Sequence, residues 1–186
     1  MKAIRIHGYG GSEVLEYEEA PRPRPKRGEV LIRVHAAGVN PFDWDVRAGH
    51  MKGSLQHKLP LILGWEVSGT VEEIGAGVSR FSKGDRVYGN LDLGRDGVYA
   101  EFAVARESEI ALQPSSLHHV EAAAVPSVAL TTRQSLLELG RLIESGKFKL
   151  AIDRVLPLSE ARRAHEIGQS GQVRGKIVLR VKEPQP

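Results

Sequence analysis

Glu66-Val67-Ser68-Gly69-Thr70-Val71-Glu72-Glu73-Ile74-Gly75 is the stretch that decides the fold class. It mixes β-branched residues with polar ones and closes on glycine, the pattern of a half-buried strand. Working outward, Val30-Leu31-Ile32-Arg33-Val34-His35-Ala36 has the same character upstream. Downstream, Arg86-Val87-Tyr88-Gly89 and Ala100-Glu101-Phe102-Ala103-Val104 repeat it. Short strands divided by Gly and Pro turns predict an all-β sandwich or barrel. Pro21-Arg22-Pro23-Arg24-Pro25-Lys26-Arg27-Gly28 is a polar turn whose prolines stop strand pairing.

After Gln113 the pattern changes. Pro114-Ser115-Ser116 offers a hydroxyl cap for a helix start, and Glu121-Ala122-Ala123-Ala124 suits a short helix. Pro126 can occupy the first turn of the next helix. From there Val128, Leu136, Leu139 and Ile143 mark an apolar side, Gly140 is the one strong breaker, and Gly146 is a natural stop. A helix is predicted over residues 126–146. Ala151-Ile152-Asp153-Arg154-Val155-Leu156 then reads as a strand, Ser159 as the cap of a helix over 160–169, and Lys176-Ile177-Val178-Leu179-Arg180-Val181 as a last strand.

Composition narrows the function. The chain has 186 residues, 41% hydrophobic and 26% charged, within the range of an ordinary globular domain. It has no cysteine, which excludes disulfides, thiolate nucleophiles and cysteine-based zinc sites. Its net charge of +3 is dispersed among acids, so a nucleic-acid partner is not expected. No apolar run approaches the ~20 residues of a membrane span. Met1-Lys2-Ala3-Ile4-Arg5-Ile6 alternates like a strand rather than a signal peptide, so a cytoplasmic location and no membrane partner are expected.

Six motifs stand in a telling order. They are Gly38-Val39-Asn40-Pro41-Phe42-Asp43 with Arg47-Ala48-Gly49, Leu63-Gly64-Trp65-Glu66-Val67-Ser68-Gly69-Thr70-Val71, and Val78-Ser79-Arg80-Phe81-Ser82-Lys83-Gly84-Asp85-Arg86-Val87-Tyr88-Gly89. Then come Gly97-Val98-Tyr99-Ala100-Glu101-Phe102, Ala122-Ala123-Ala124-Val125-Pro126 with Leu130-Thr131, and Gly175-Lys176-Ile177-Val178-Leu179. Together they resemble the zinc-independent quinone reductase branch of the medium-chain dehydrogenase/reductase superfamily.

The resemblance implies a mainly β fold with some α: a GroES-like β-barrel over residues 1–125, a junction helix over 126–146, and a segment 147–186 that returns to the barrel. The Rossmann cofactor domain that intact relatives carry after Thr131 is missing. Its glycine-rich fingerprint has no substitute here. Gly75-Ala76-Gly77-Val78-Ser79-Arg80 has Arg80 at the third glycine and lies between strands, while Gly8-Tyr9-Gly10-Gly11 leads to a strand. Zinc is not expected either, because Asn40 and Trp65 stand where zinc-dependent relatives have Cys and His.

By family position, Asn40, Asp43 and Thr131 are the catalytic candidates, Asn40 and Trp65 line the substrate site, and Asn40 and Thr131 approach the cofactor. Each also has an ordinary role: Asn40 and Asp43 in a turn, Trp65 in the core, Thr131 bonded to its own helix. The implied activity is the substrate side of an NADPH-dependent quinone or enone oxidoreductase. It would be a deletion form with little redox activity, no cofactor of its own, and a small apolar or quinone-like ligand. The alternative is a non-catalytic small-molecule binding or interaction module. An uncovered domain interface would favour a homodimer or domain-exchanged oligomer.

Overall fold

The computed structural model describes residues 1–126, 133–148 and 150–182. The strands are β1 (Lys2–Ile6), β2 (Glu16–Glu19), β3 (Glu29–Val39), β4 (Leu61–Ile62), β5 (Glu66–Ile74), β6 (Arg86–Asn90), β7 (Phe102–Arg106), β8 (Ile110–Leu112), β9 (Ile152–Pro157) and β10 (Lys176–Arg180). The helices are α1 (Pro41–Ala48), α2 (His119–Ala122), α3 (Arg133–Glu144) and α4 (Ala161–Gln169).

β3 organises the molecule. One edge pairs antiparallel with β5 along its length. The other edge is shared, with β7 opposite Glu29–Arg33 and β10 opposite Ala36–Val39. The main sheet runs β8-β6-β5-β3-β10-β9, and β2-β1-β4 form a second sheet. Register shifts between Leu31 and Ile32 and between Val34 and Ala36 bend β3 against β5. Such bulges raise local twist and let a sheet curl around its core. Inside lie Ile4, Ile6, Ile32, Val34, Leu63, Val67, Tyr99 and Leu179. This is the mainly β, GroES-like architecture expected, with no Rossmann fold among the described residues.

The C-terminal segment returns to the barrel. β10 pairs antiparallel with β3, and β9 pairs parallel with β10. α4 ties back to the N-terminus, where Arg162 donates to the Glu13 carbonyl at 2.8 Å and Ser12 Oγ donates to Glu166 Oε1 at 2.8 Å. α3 lays Leu136 and Leu139 onto Tyr88, Ala111 and Leu117. Of its expected apolar side, Val128 lies outside the described residues.

Two local expectations are corrected, and one alternative left open is decided. Ser159 does not cap α4: a 3-10 turn over Leu158–Glu160 runs into the helix, which starts at Ala161 with no side-chain cap bond. The helix after Gln113 starts at His119, not at the serines, and Glu121 Oε2 accepts the His118 N–H at 2.8 Å. Asn40 and Asp43, residues that also suit a turn, belong to a helix start instead, which Pro41 opens. Its fixed φ suits the first helical position, where no N–H is needed.

Candidate functional site

Three elements begin or end at one level of the main sheet. β3 ends at Val39, β5 starts at Glu66 opposite Gly38, and β10 starts at Lys176, one residue before Ile177 faces Val39. Asn40, Glu66 and Lys176 are therefore delivered to one spot by backbone register. Asn40 Nδ2 donates to Glu66 Oε2 at 2.6 Å, Lys176 Nζ donates to the same oxygen at 2.7 Å, and Lys176 Nζ also donates to Asn40 Oδ1. With Oδ1 accepting and Nδ2 donating, the Asn40 amide is held in one orientation. Gly38 makes room for this: a Cβ there would lie 2.2 Å from Glu66 Oε2 and 2.6 Å from the Ala123 carbonyl.

Asp43 sits one helical turn further, at 1% exposure. Its Oδ2 accepts the Asn40 N–H at 2.8 Å and the Tyr99 hydroxyl at 2.7 Å. Burial pushes the carboxyl up to about 7, against the opposing pull of those two donors. Tyr99 reaches Asp43 because Gly64, at φ +76°, has no Cβ to strike its ring; a Cβ would come within 2.1 Å.

A cavity of about 340 Å³ opens beside this network, lined by Asn40, Phe42, Asp43, Trp65, Glu66 and Leu93 among others. Trp65 is both core and wall. It is 2% exposed, donates its indole N–H to the Arg95 carbonyl at 3.1 Å, and meets the Phe42 ring edge-on at 5.6 Å. Asn40, Asp43 and Trp65 are thus brought together, and Thr131 lies outside the described residues. Glu66, Lys176, Tyr99 and Phe42 were not singled out as site residues. The signal for the ion pair was present: Glu66 and Lys176 are charges of opposite sign, each the first residue of its strand.

The residues present do not make a dinucleotide cradle. The Gly75–Gly77 turn joins β5 to β6 and is committed to the barrel, with the Gly75 N–H donating to the Glu29 carbonyl at 2.8 Å. No helix follows to aim its N-terminus at a pyrophosphate. The Asn40 amide and Trp65 indole, both engaged as above, offer a zinc ion neither thiolate nor imidazole. Among the described residues His7, Glu16 and Glu18 lie close enough to share a cation. Glu18 Oε1, however, is already 2.8 Å from His7 and 3.0 Å from Arg5.

The family model for the alcohol dehydrogenase GroES-like domain matches residues 26–115. A chloroplastic quinone-oxidoreductase homolog of Spinacia oleracea is 38% identical over 143 residues, covering 76% of this chain and 44% of that protein. A mitochondrial NAD(P)H oxidoreductase of Dictyostelium discoideum is 39% identical over 135 residues, covering 70% and 38%. The chain spans less than half the length of these curated relatives. The solved quinone oxidoreductase from Coxiella burnetii superposes with a TM-score of 0.90 at 21% identity, covering 98% of this chain and 99% of that one. At that identity the likeness carries the fold alone. The motif order, the barrel topology and these matches converge: the chain belongs to the quinone oxidoreductase-like branch of the medium-chain dehydrogenase/reductase superfamily, and holds its GroES-like domain without a Rossmann domain.

Proposed function

We propose that this chain is the substrate-side domain of a zinc-independent, NADPH-dependent quinone or enone oxidoreductase, with little redox activity of its own. The observation that carries the reading is the cavity bounded by Trp65 and Phe42 beside an Asn40 amide fixed by Glu66 and Lys176. Aromatic walls suit a planar acceptor, and a fixed amide beside them orients its carbonyl. Reduction of such an acceptor ends in protonation. Asp43, pushed up to about 7, holds a proton near neutral pH where an ordinary carboxyl would have lost it. Because Oδ2 already accepts two donors, that proton resides on Oδ1. In the family a nicotinamide supplies the hydride; this chain lacks the cradle for its pyrophosphate, so its residues bind, orient and hold a proton only.

Trp fluorescence during titration with 1,4-naphthoquinone tests the reading, and no thiol is present to add to the quinone. Saturable quenching that Trp65→Phe reduces supports it, because Trp44, the other indole, reports the remainder. Quenching that stays linear, or that Trp65→Phe leaves unchanged, overturns it. Calorimetry with NADPH, and NADH as control, separates the two parts of the proposal. Absence of nicotinamide binding fits a domain that has lost its cofactor partner.

The missing pyrophosphate cradle favours one second reading, a small-molecule binding module without catalysis. Quinone binding unaffected by an added cofactor domain would select it. Either reading goes with self-association, since Leu112 on β8, Leu142 on α3 and Val155 on β9 are exposed apolar side chains. A scattering mass of one chain would count against self-association.

A further inference from the structure

A second cavity of about 340 Å³ lies among β3, β6, α2 and the end of β10, away from the Asn40 site. It is lined by His35, Arg86, His118, His119, Arg180 and Lys182. The one acid in its wall among the described residues, Glu121, is committed to the start of α2, accepting the His118 N–H at 2.8 Å. Arg86 donates to the Leu117 carbonyl at 2.7 Å, a neutral acceptor, which fixes its guanidinium without cancelling its charge. The backbone N–H groups of Val181 and Lys182 both donate to the His35 carbonyl, at 2.9 and 3.3 Å, which draws the end of β10 over the cavity.

His35 and His119 stack face to face with ring centroids 4.2 Å apart. Hydrogen bonds define the state of His119. Gln113 Nε2 donates to the Leu117 carbonyl, so its Oε1 accepts the Ser68 hydroxyl proton at 2.7 Å. His119 Nδ1, 2.8 Å from Ser68 Oγ, must then be the donor, and Nε2 is the nitrogen that takes up a further proton. Burial and then the neighbouring cationic groups hold His35 down to about 4 and His119 down to about 3. Among the described residues, Arg86 and Lys182 thus bring positive charge to a wall whose one acid, Glu121, is engaged at the start of α2.

We propose that this cavity is a binding site for a phosphate-sized oxyanion, either free phosphate or the phosphomonoester end of a small metabolite. The guanidinium of Arg86 and the ammonium of Lys182 supply charge-assisted donors. An anion between them also favours the charged imidazoles, so binding is coupled to proton uptake by the His35–His119 pair. The other titratable or charged groups facing the pair among the described residues are Arg33, Arg180, His118 and Glu121, and of these Glu121 opposes an anion.

The test is a titration with sulfate, whose charge is constant across the range used, read on the histidine ring signals by NMR. Chloride at matched ionic strength is the control. Saturable shifts of the His35 and His119 signals, with tighter binding at pH 6.0 than at pH 7.5, are expected. Arg86→Gln and Lys182→Gln should each weaken binding about tenfold, and among the described residues the Lys182 side chain makes no hydrogen bond or ion pair. Shifts that chloride reproduces, that never saturate, or that neither variant changes would overturn the site. Inorganic phosphate and glycerol 3-phosphate then distinguish the sources. Tighter binding of the ester assigns a metabolite, and equal binding assigns the free ion.

Discussion

Lys176 Nζ lies 2.7 Å from Glu66 Oε2, across 110 positions of sequence. Glu66 is 1% exposed, so its carboxylate depends on nearby donors rather than water. Removing one partner of a buried pair leaves the other charge stranded. Lys176→Met should therefore cost on the order of 3 kcal/mol, measured as a lower urea midpoint. Adding Glu66→Gln should recover a large part of that loss, and the double-mutant cycle gives the coupling. A near-zero cost for the single variant would refute this account of how the C-terminal strand is anchored.

Asp43 gives a pH dependence with a defined sign. Its folded value of about 7 lies above the ordinary 3.8, so the folded state keeps a proton that the unfolded chain releases. The contribution is full below pH ~4 and is lost as pH rises through about 7. Asp43→Asn keeps an oxygen acceptor for Tyr99 and for the Asn40 N–H but has nothing to ionise. The variant should gain stability relative to the parent as pH rises from about 4 to 7. Parallel pH profiles of the two proteins would show that Asp43 titrates normally.

Three imidazoles pull the other way. His35, His119 and His165 are lowered to about 4, 3 and 3, mainly by burial. His165 is fully buried, and its Nδ1 faces Arg47 NH1 at 3.0 Å, so it accepts there and stays neutral. Depressed values mean stability that is present above pH 6.5 and lost as pH falls toward 3–4, because only the unfolded chain binds those protons. Between these windows the three histidines outweigh Asp43 by about two protons. Stability should rise as pH goes from about 4.5 to 6, readable by urea unfolding at each pH. A flat profile there would mean the histidines are solvated.

The barrel was legible because its cause is local. Strands such as β5 and β6 announce themselves by alternation and by glycine punctuation, and the structure places them within a few residues of where the pattern does. α1 was not legible for the opposite reason. Asn40-Pro41-Phe42-Asp43 satisfies turn chemistry and helix-start chemistry equally, and only packing against the barrel decides. The site was half legible. Asn40, Asp43 and Trp65 lie within 26 positions of one another and carry a family pattern, whereas Lys176 joins them through β-sheet register. No short-range pattern reports that a residue far along the chain will pair its strand with β3. The basic cavity was missed likewise: His35, Arg86, His119 and Lys182 come from four separate segments.

The helix α3 offers the last prediction, because a hydroxyl and an apolar cluster hold it to the barrel. Tyr88, fully buried on β6, donates its hydroxyl to the Leu136 carbonyl of α3. Burial raises the phenol to about 12, so it stays a donor throughout the working pH range. Leu136, at 1% exposure, packs in the same cluster as Tyr88, Ala111 and Leu117. If α3 is an integral part of the domain, Tyr88→Phe should cost about 1 kcal/mol, a typical net hydrogen bond, and Leu136→Ala about 2–5 kcal/mol as a core truncation. Both should appear as shifts of one cooperative transition with unchanged slope. If instead α3 is only resting on the barrel, Leu136→Ala would leave the main midpoint in place. Hydrogen exchange at Leu139 and Gly140 would then speed up alone, identifying α3 as a separately opening unit.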